Sequence, residues 1–195
     1  MIHCGKRALA AAMIVFLDFE ASSLARHSYP IEVAWVFEDG ASESHLIRPA
    51  SGWDDWDTEA EAIHHIPRET LIRDGMPHDA LAQRMVALLS GHDLAASAPS
   101  WDGKWLSALL RAAGLPRHAL RLRDTEDVQR EVAHSILRGQ LPDADLETEV
   151  ERLRSAAIAA LPEGATAHRA LADAEAERRR WLAVRTAAEQ FRDAV

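Results

Sequence analysis

One cysteine, Cys4, is all that this chain of 195 residues carries. An intramolecular disulfide is therefore excluded, and so is a zinc site built on cysteines. Such sparse usage fits a reducing compartment. A surplus of basic charge is missing too. The chain has 22 Lys and Arg against 31 Asp and Glu, a formal net charge of −9 and a pI near 5.5. A broad basic face for gripping long duplexes is not expected. An acidic total still leaves room for a local basic groove, or for a site that takes only a strand end. Internal repeats and low-complexity tracts are absent, and the Ala-rich, charge-studded last third reads as helix. Lys6 and Arg7 ahead of Ala8 to Leu17 imitate the charged and apolar parts of a signal peptide. That run is too short to cross a bilayer as a helix, and it ends in two acids. Residues 1–12 are therefore expected to form an N-terminal extension, open to disorder, with Met13 as an alternative start. Residues 13–195 are expected to form one domain in the cytoplasm, without membrane attachment.

What is present is ordinary in bulk and specific in one stretch. The hydrophobic and charged fractions, 48% and 27%, are those of a soluble globular chain long enough to bury a substantial core. The stretch is Ile14-Val15-Phe16-Leu17-Asp18-Phe19-Glu20. A short run of β-branched and aromatic residues reads as a buried strand. A strand alternates its faces, so Asp18 and Glu20 point one way and Phe19 the other. Two like charges at the end of a buried strand repel each other and lose hydration. A divalent cation would repay that cost; a strand end spilling acids into solvent is the plainer alternative.

Further along, Ile31 to Phe37 reads as a second strand and Ser42 to Arg48 as a third, at hairpin spacing. Thr58 is expected to cap a short helix carrying Ile63 and ending by Pro67. Pro77 to Ser90 has a helical stripe of Leu81, Met85, Leu88 and Leu89. Asp93 to Ala98 follows as a short strand. Trp101 to Ala113 is helical, with Trp101, Trp105, Leu106, Leu109 and Leu110 on one side and Gly114 as the stop. Leu120 to Arg123 suggests another strand, and helices follow over Thr125 to Arg138, Leu146 to Ala160, and from beyond Gly164 to about Arg192. Hairpin strands first, then strands alternating with helices, predict an α/β fold: a mixed sheet flanked by helices.

Three more residues bear on chemistry. Asp102 opens a helix, where an acid is often just a partner for the helix dipole. His168 and Asp173 lie five residues apart, and an ideal helix would leave their side chains about 140° apart. They can share a site only if His168 sits in the loop or first turn before the helix, an entry for which Gly164 and Thr166 are suited. Singly, each reads as a cap, a surface histidine or a helix charge.

Taken together, Asp18, Glu20, Asp102, His168 and Asp173, in this order and spacing, resemble the DEDDh group of 3′→5′ exonucleases. That superfamily includes DNA polymerase proofreading subunits, ribonuclease T and oligoribonuclease. The resemblance runs from about Met13 to Trp181. The first motif stands here as Asp18-Phe-Glu20-Ala-Ser22-Ser23-Leu24. The second is Trp101-Asp102-Gly-Lys-Trp105-Leu106, and the third, the most specific, is His168-Arg-Ala-Leu-Ala-Asp173-Ala. Asp124-Thr125 and Ile63-His64-His65-Ile66 also fall where members carry similar residues. Two departures stand out: Ser23 replaces the usual glycine, and Ser97-Ala98 stands where many members have His-Asn.

The resemblance implies a ribonuclease-H-like fold and a metal-dependent 3′→5′ exonuclease that releases nucleoside 5′-monophosphates from single-stranded DNA or RNA ends. Two divalent ions, Mg²⁺ or Mn²⁺, about 3.5–4 Å apart would activate water, neutralise phosphoryl charge and stabilise the leaving oxygen. Asp18 would bridge them, Glu20 and Asp173 would complete the site of the water-binding ion, and Asp102 would support the second. His168 would take the proton from the water, a task suited to a histidine pKa of about 6.5. Ser22, Ser23, Leu24 and His64 fall at substrate-contact positions, with Leu24 as a wedge against the terminal base or else a core residue. Trp53, Trp56 and Trp101 can stack on bases, but tryptophan is more often buried, and Trp101 with Trp105 reads as core. Arg178, Arg179 and Arg180 can touch phosphate, but read rather as a solvated helix face. An oligoribonuclease for very short RNA and a catalytically silent binding domain of the same fold remain alternatives; a homodimer stays open.

Overall fold

The computed structural model describes residues 11–162 and 168–194. The extension to residue 10, and Gly164 and Thr166 ahead of the last helix, lie outside the described residues. The first three strands form where the apolar alternation puts them: β1 Ile14–Ala21, β2 Pro30–Phe37 and β3 Ser42–Arg48. Two short helices follow, α1 Thr58–His64 and α2 Arg68–Asp74, then a two-residue strand β4, Met76–Pro77. After them come α3 His78–Leu89, β5 Asp93–Ala96, α4 Pro99–Ala112 and β6 Leu122–Asp124. The chain closes with α5 Thr125–Leu137, α6 Asp143–Ala159 and α7 Ala170–Ala194.

The six strands form one mixed sheet in the order β4-β3-β2-β1-β5-β6. β2 pairs antiparallel with both β1 and β3, whereas β5 runs parallel to β1 and β6 parallel to β5. The hairpin strands thus lie on one side of β1 and the crossover strands on the other, leaving β1 inside the sheet with its C-terminal end beside the start of α4.

Strand alternation decides which helices cover which face. Val15, Leu17 and Phe19 point with Val33 and Trp35 into a core completed by Leu81, Met85, Leu109 and Leu110 of α3 and α4. On the opposite face Phe16 meets Ala95, Val128 and Trp181, so α5 and α7 cover that side. Asp18 and Glu20 share the face of Phe16, and it is α7 that passes over them. Residues 170, 174, 177, 181, 184 and 188 form the buried stripe of α7, at the three-and-four spacing of a helix face. Its far half packs with α5 and α6 around Leu137, Val150 and Val184. Burial of a large apolar side chain such as Leu17 or Leu109 contributes about 1.5–3 kcal/mol. Many such contacts offset the cost of ending β1 in two acids.

Several boundaries differ from the sequence reading. Asp57, not Thr58, caps α1: its carboxylate accepts the Glu59 N–H at 2.9 Å. The helix α2 had no counterpart in the reading. It ends at Gly75, where a β-carbon would collide with the backbone of Leu71 and Arg48. Strand β5 stops at Ala96, because Pro99 already opens α4. Trp105 is core at 7% exposure, but Trp101, on the first turn of α4, is 38% exposed and leans at a tilt against the Trp105 ring instead of being covered.

Candidate active site

The site is assembled from three elements that meet at the C-terminal end of β1. Asp18, Glu20 and Asp173 each offer a carboxylate oxygen, and these oxygens lie within 4.8 Å of one another. β1 supplies the first two on one face, and the first turn of α7 sets Asp173 above them. Opposite Asp18 on β2 stands Ala34, whose small side chain adds no bulk beneath the helix.

Burial makes this an electrostatically costly arrangement. Desolvation, then repulsion from Asp102, Glu20, Asp173 and Glu177, holds the Asp18 carboxyl up at about 9. Burial and the charges of Asp173 and Glu32 raise Glu20 to about 7, while the Arg169 guanidinium opposes the rise. Burial likewise raises Asp173, with His168 pulling the other way. Groups whose charged form is so disfavoured by burial and by like charges are candidates for function.

Asp102 sits apart from the three. It lies inside α4, is 2% exposed, and accepts the Phe19 N–H at 3.3 Å. That bond ties the start of α4 to the backbone between Asp18 and Glu20, a contact that a plain helix-dipole partner would not make. Burial raises Asp102 to about 7, against backbone N–H groups that favour its charged form.

His168 meets the condition its spacing imposes. It lies two residues ahead of α7, exposed, with φ 41° in the left-handed region. The chain therefore turns before the helix begins, and five residues separate His168 from Asp173 without the angular offset of a continuous helix.

The expected substrate contacts fall into two kinds. Leu24 is 70% exposed, which removes the core reading and leaves its side chain free at the rim. Ser22 and Ser23 are buried, with both hydroxyls bonded to the Asp55 carboxylate and Ser22 also accepting the Tyr29 N–H. They fasten the loop that presents Leu24. Ser23 lies outside the positive-φ region, so the usual glycine is not required for backbone conformation. His64 is 2% exposed rather than in solvent. Its Nδ1 accepts the Ile66 N–H at 3.1 Å, which places the proton of the neutral ring on Nε2, and that atom is buried without a partner among the described residues. Burial also lowers its pKa, favouring that neutral ring.

Other aromatic and basic candidates have local employment. Trp53 stacks on Tyr29 with ring centres 5.1 Å apart, and Trp56 donates to Glu61. Arg178 donates to the Glu38 carbonyl, Arg179 pairs with Glu175 and Arg180 with Glu177.

Sequence reasoning missed Glu177 and the pair Glu32 and Arg169. Glu177 is 8% exposed, one turn beyond Asp173, and its charge adds to the repulsion on Asp18 and Asp102. The available signal was its place as the only acid in the buried stripe of α7. Glu32 could have been noticed as the only charge in Pro30–Phe37.

No family model matches the sequence, and no curated protein matches it at the sequence level. Solved structures do match by shape. E. coli exonuclease I in complex with a dA16 oligonucleotide superposes with a TM-score of 0.65 at 21% identity, covering 94% of this chain and 42% of that one. The fold is that of the matched part of exonuclease I. Exonuclease I from Methylocaldum szegediense gives a TM-score of 0.63 at 17% identity over 88% of this chain and 40% of its own. The zinc-bound E. coli exonuclease I–ssDNA complex gives 0.60 at 19%, over 87% and 39%. This chain thus spans about two fifths of the length of these exonuclease I chains. The mixed, helix-flanked sheet is as the sequence led one to expect.

Proposed function

We propose that this protein is a divalent-metal-dependent 3′→5′ exonuclease acting on single-stranded nucleic-acid ends. The observation that carries the reading is the convergence of Asp18, Glu20 and Asp173 within 4.8 Å in a fold shared with structures bound to single-stranded DNA. The donor set fits hard cations. It is all oxygen, contains no thiolate, and is costly to ionise without a counter-charge.

Asp18, Glu20 and Asp173 would hold Mg²⁺ or Mn²⁺, with Asp102 supporting a second ion from its place at the Phe19 N–H of β1. When bound, such ions supply charge neutralisation at the phosphoryl oxygens and a more acidic water. The protein's own groups do the rest. His168, outside the helix and exposed, accepts the proton of the attacking water. Leu24, held out by the Ser22–Ser23–Asp55 fastening, presses on the terminal base and favours an unpaired end. The 3′-terminal phosphodiester is cleaved and a nucleoside 5′-monophosphate leaves.

The test is degradation of labelled DNA and RNA oligomers of several lengths with Mg²⁺ or Mn²⁺. Linear single strands with a free 3′-hydroxyl should be shortened one nucleotide at a time. A 3′-phosphate should slow turnover strongly and a blocked 5′ end should not. Equal loss of circular and linear strands would remove end-directed cleavage from the reading.

A further inference from the structure

Glu32 carries a carboxyl group only 2% exposed on β2, and it stands directly opposite Glu20 in the β1–β2 register. Like charges across a ladder are unfavourable, so something must hold this acid in place. The α7 end does so with several donors to one carboxylate. Arg169 Nε reaches the two Glu32 oxygens at 3.2 and 2.9 Å, a second guanidinium nitrogen reaches Oε1 at 2.6 Å, and the Ala170 N–H donates to Oε2 at 3.1 Å. Glu32 thus performs the work of an N-cap for α7, but from a neighbouring strand. The fork-shaped guanidinium fixes direction as well as distance.

The residue just ahead of this clasp is His168, in the left-handed conformation that a β-carbon disfavours. The next two residues of the chain, Arg169 and Ala170, are both anchored on Glu32. Resting on the exonuclease reading, we infer that the Glu32–Arg169 clasp is a positioning device that fixes His168 over the carboxylate site. Arg169 acts through His168 and does not touch the strand.

Two substitutions test this. Arg169→Lys keeps the charge beside Glu32 and so keeps the fold, but cannot make the two-pronged contact. Arg169→Met removes both. The expected loss is in kcat, several-fold for the lysine variant and about 10- to 100-fold for the methionine variant, with KM little changed, because a small misplacement of a reacting group has effects of this size. In a His168→Ala background the same substitutions should add nothing. A rise in KM at constant kcat would make Arg169 a strand contact and overturn the proposal. So would an Arg169→Lys loss that persists in full without His168. Amide hydrogen exchange supplies a readout that needs no catalysis: Ala170 should be protected in the wild type and less so in Arg169→Lys. If the wild type degrades no strand with any metal, the functional reading falls, while unchanged Ala170 protection in Arg169→Lys would reject the clasp itself.

Discussion

The most informative perturbation is removal of divalent ions as a function of pH. Without ions, Asp18 holds its carboxyl at about 9, and Glu20 and Asp102 lie at about 7. All three are raised above the ordinary carboxylate range by burial. Folding therefore favours their protonated forms. That contribution is fully present below the unfolded values near 4 and is lost as pH climbs through about 7 and then 9. The metal-free protein should melt lower at pH 8 than at pH 6. Ion binding runs the other way, because it needs bare oxygens. Near pH 7 it must expel about one to two protons, so apparent affinity rises roughly 10- to 100-fold per pH unit. Each tenfold gain adds about 1.4 kcal/mol to stability at fixed ion concentration, or about 3–6 °C in Tm for a domain of this size. Thermal melts in chelator and in Mg²⁺ or Mn²⁺ from pH 6 to 8 measure the shift. Calorimetry in two buffers of different ionisation enthalpy measures the protons released. Asp18→Asn should abolish both. A metal-induced shift that is equal at pH 6 and pH 8, with no proton release, would refute the buried-carboxylate account of the site.

His168→Ala should lower the rate about 10²–10⁴-fold while leaving the metal-induced Tm shift intact; undiminished turnover at saturating metal would make His168 a surface residue. Glu177→Gln should raise the metal-free Tm at pH 8, by relieving Asp18 and Asp102 of one repulsion, and should weaken ion affinity several-fold. Unchanged melts and unchanged affinity would show that this acid is silent.

The parts of the site legible in the sequence were those written in local spacing. Asp18 and Glu20 follow from a period of two at the end of an apolar run. His168 and Asp173 follow from a spacing that a helix forbids unless it starts late, and α7 does start late, at Ala170. Asp102 was legible as a helix-start acid and as the acid of the second motif, but not its bond to the Phe19 N–H, which joins positions 83 apart. Glu32 and Arg169, 137 apart, left no local trace beyond a charge in an apolar strand. The fastening of Ser22 and Ser23 by Asp55 depends on how two loops meet. Trp101 misled because helical spacing assigns a side to a residue but cannot say whether anything packs there. Helix α2 is only seven residues long, too short for a periodic pattern to establish itself.

The edges of the sheet have a consequence for association. One edge is β4, two residues long and ending in Pro77, which has no N–H to offer a further strand. The other is β6, three residues long, whose Arg123 is drawn sideways to Asp93 and Glu131. Among the described residues these two short strands offer little ladder of their own, and the longer outer edge is that of β3, which β4 covers only at Ile47 and Arg48. Strand addition by a second copy or another protein would therefore have to run along residues 42–46 of β3 rather than along β4 or β6.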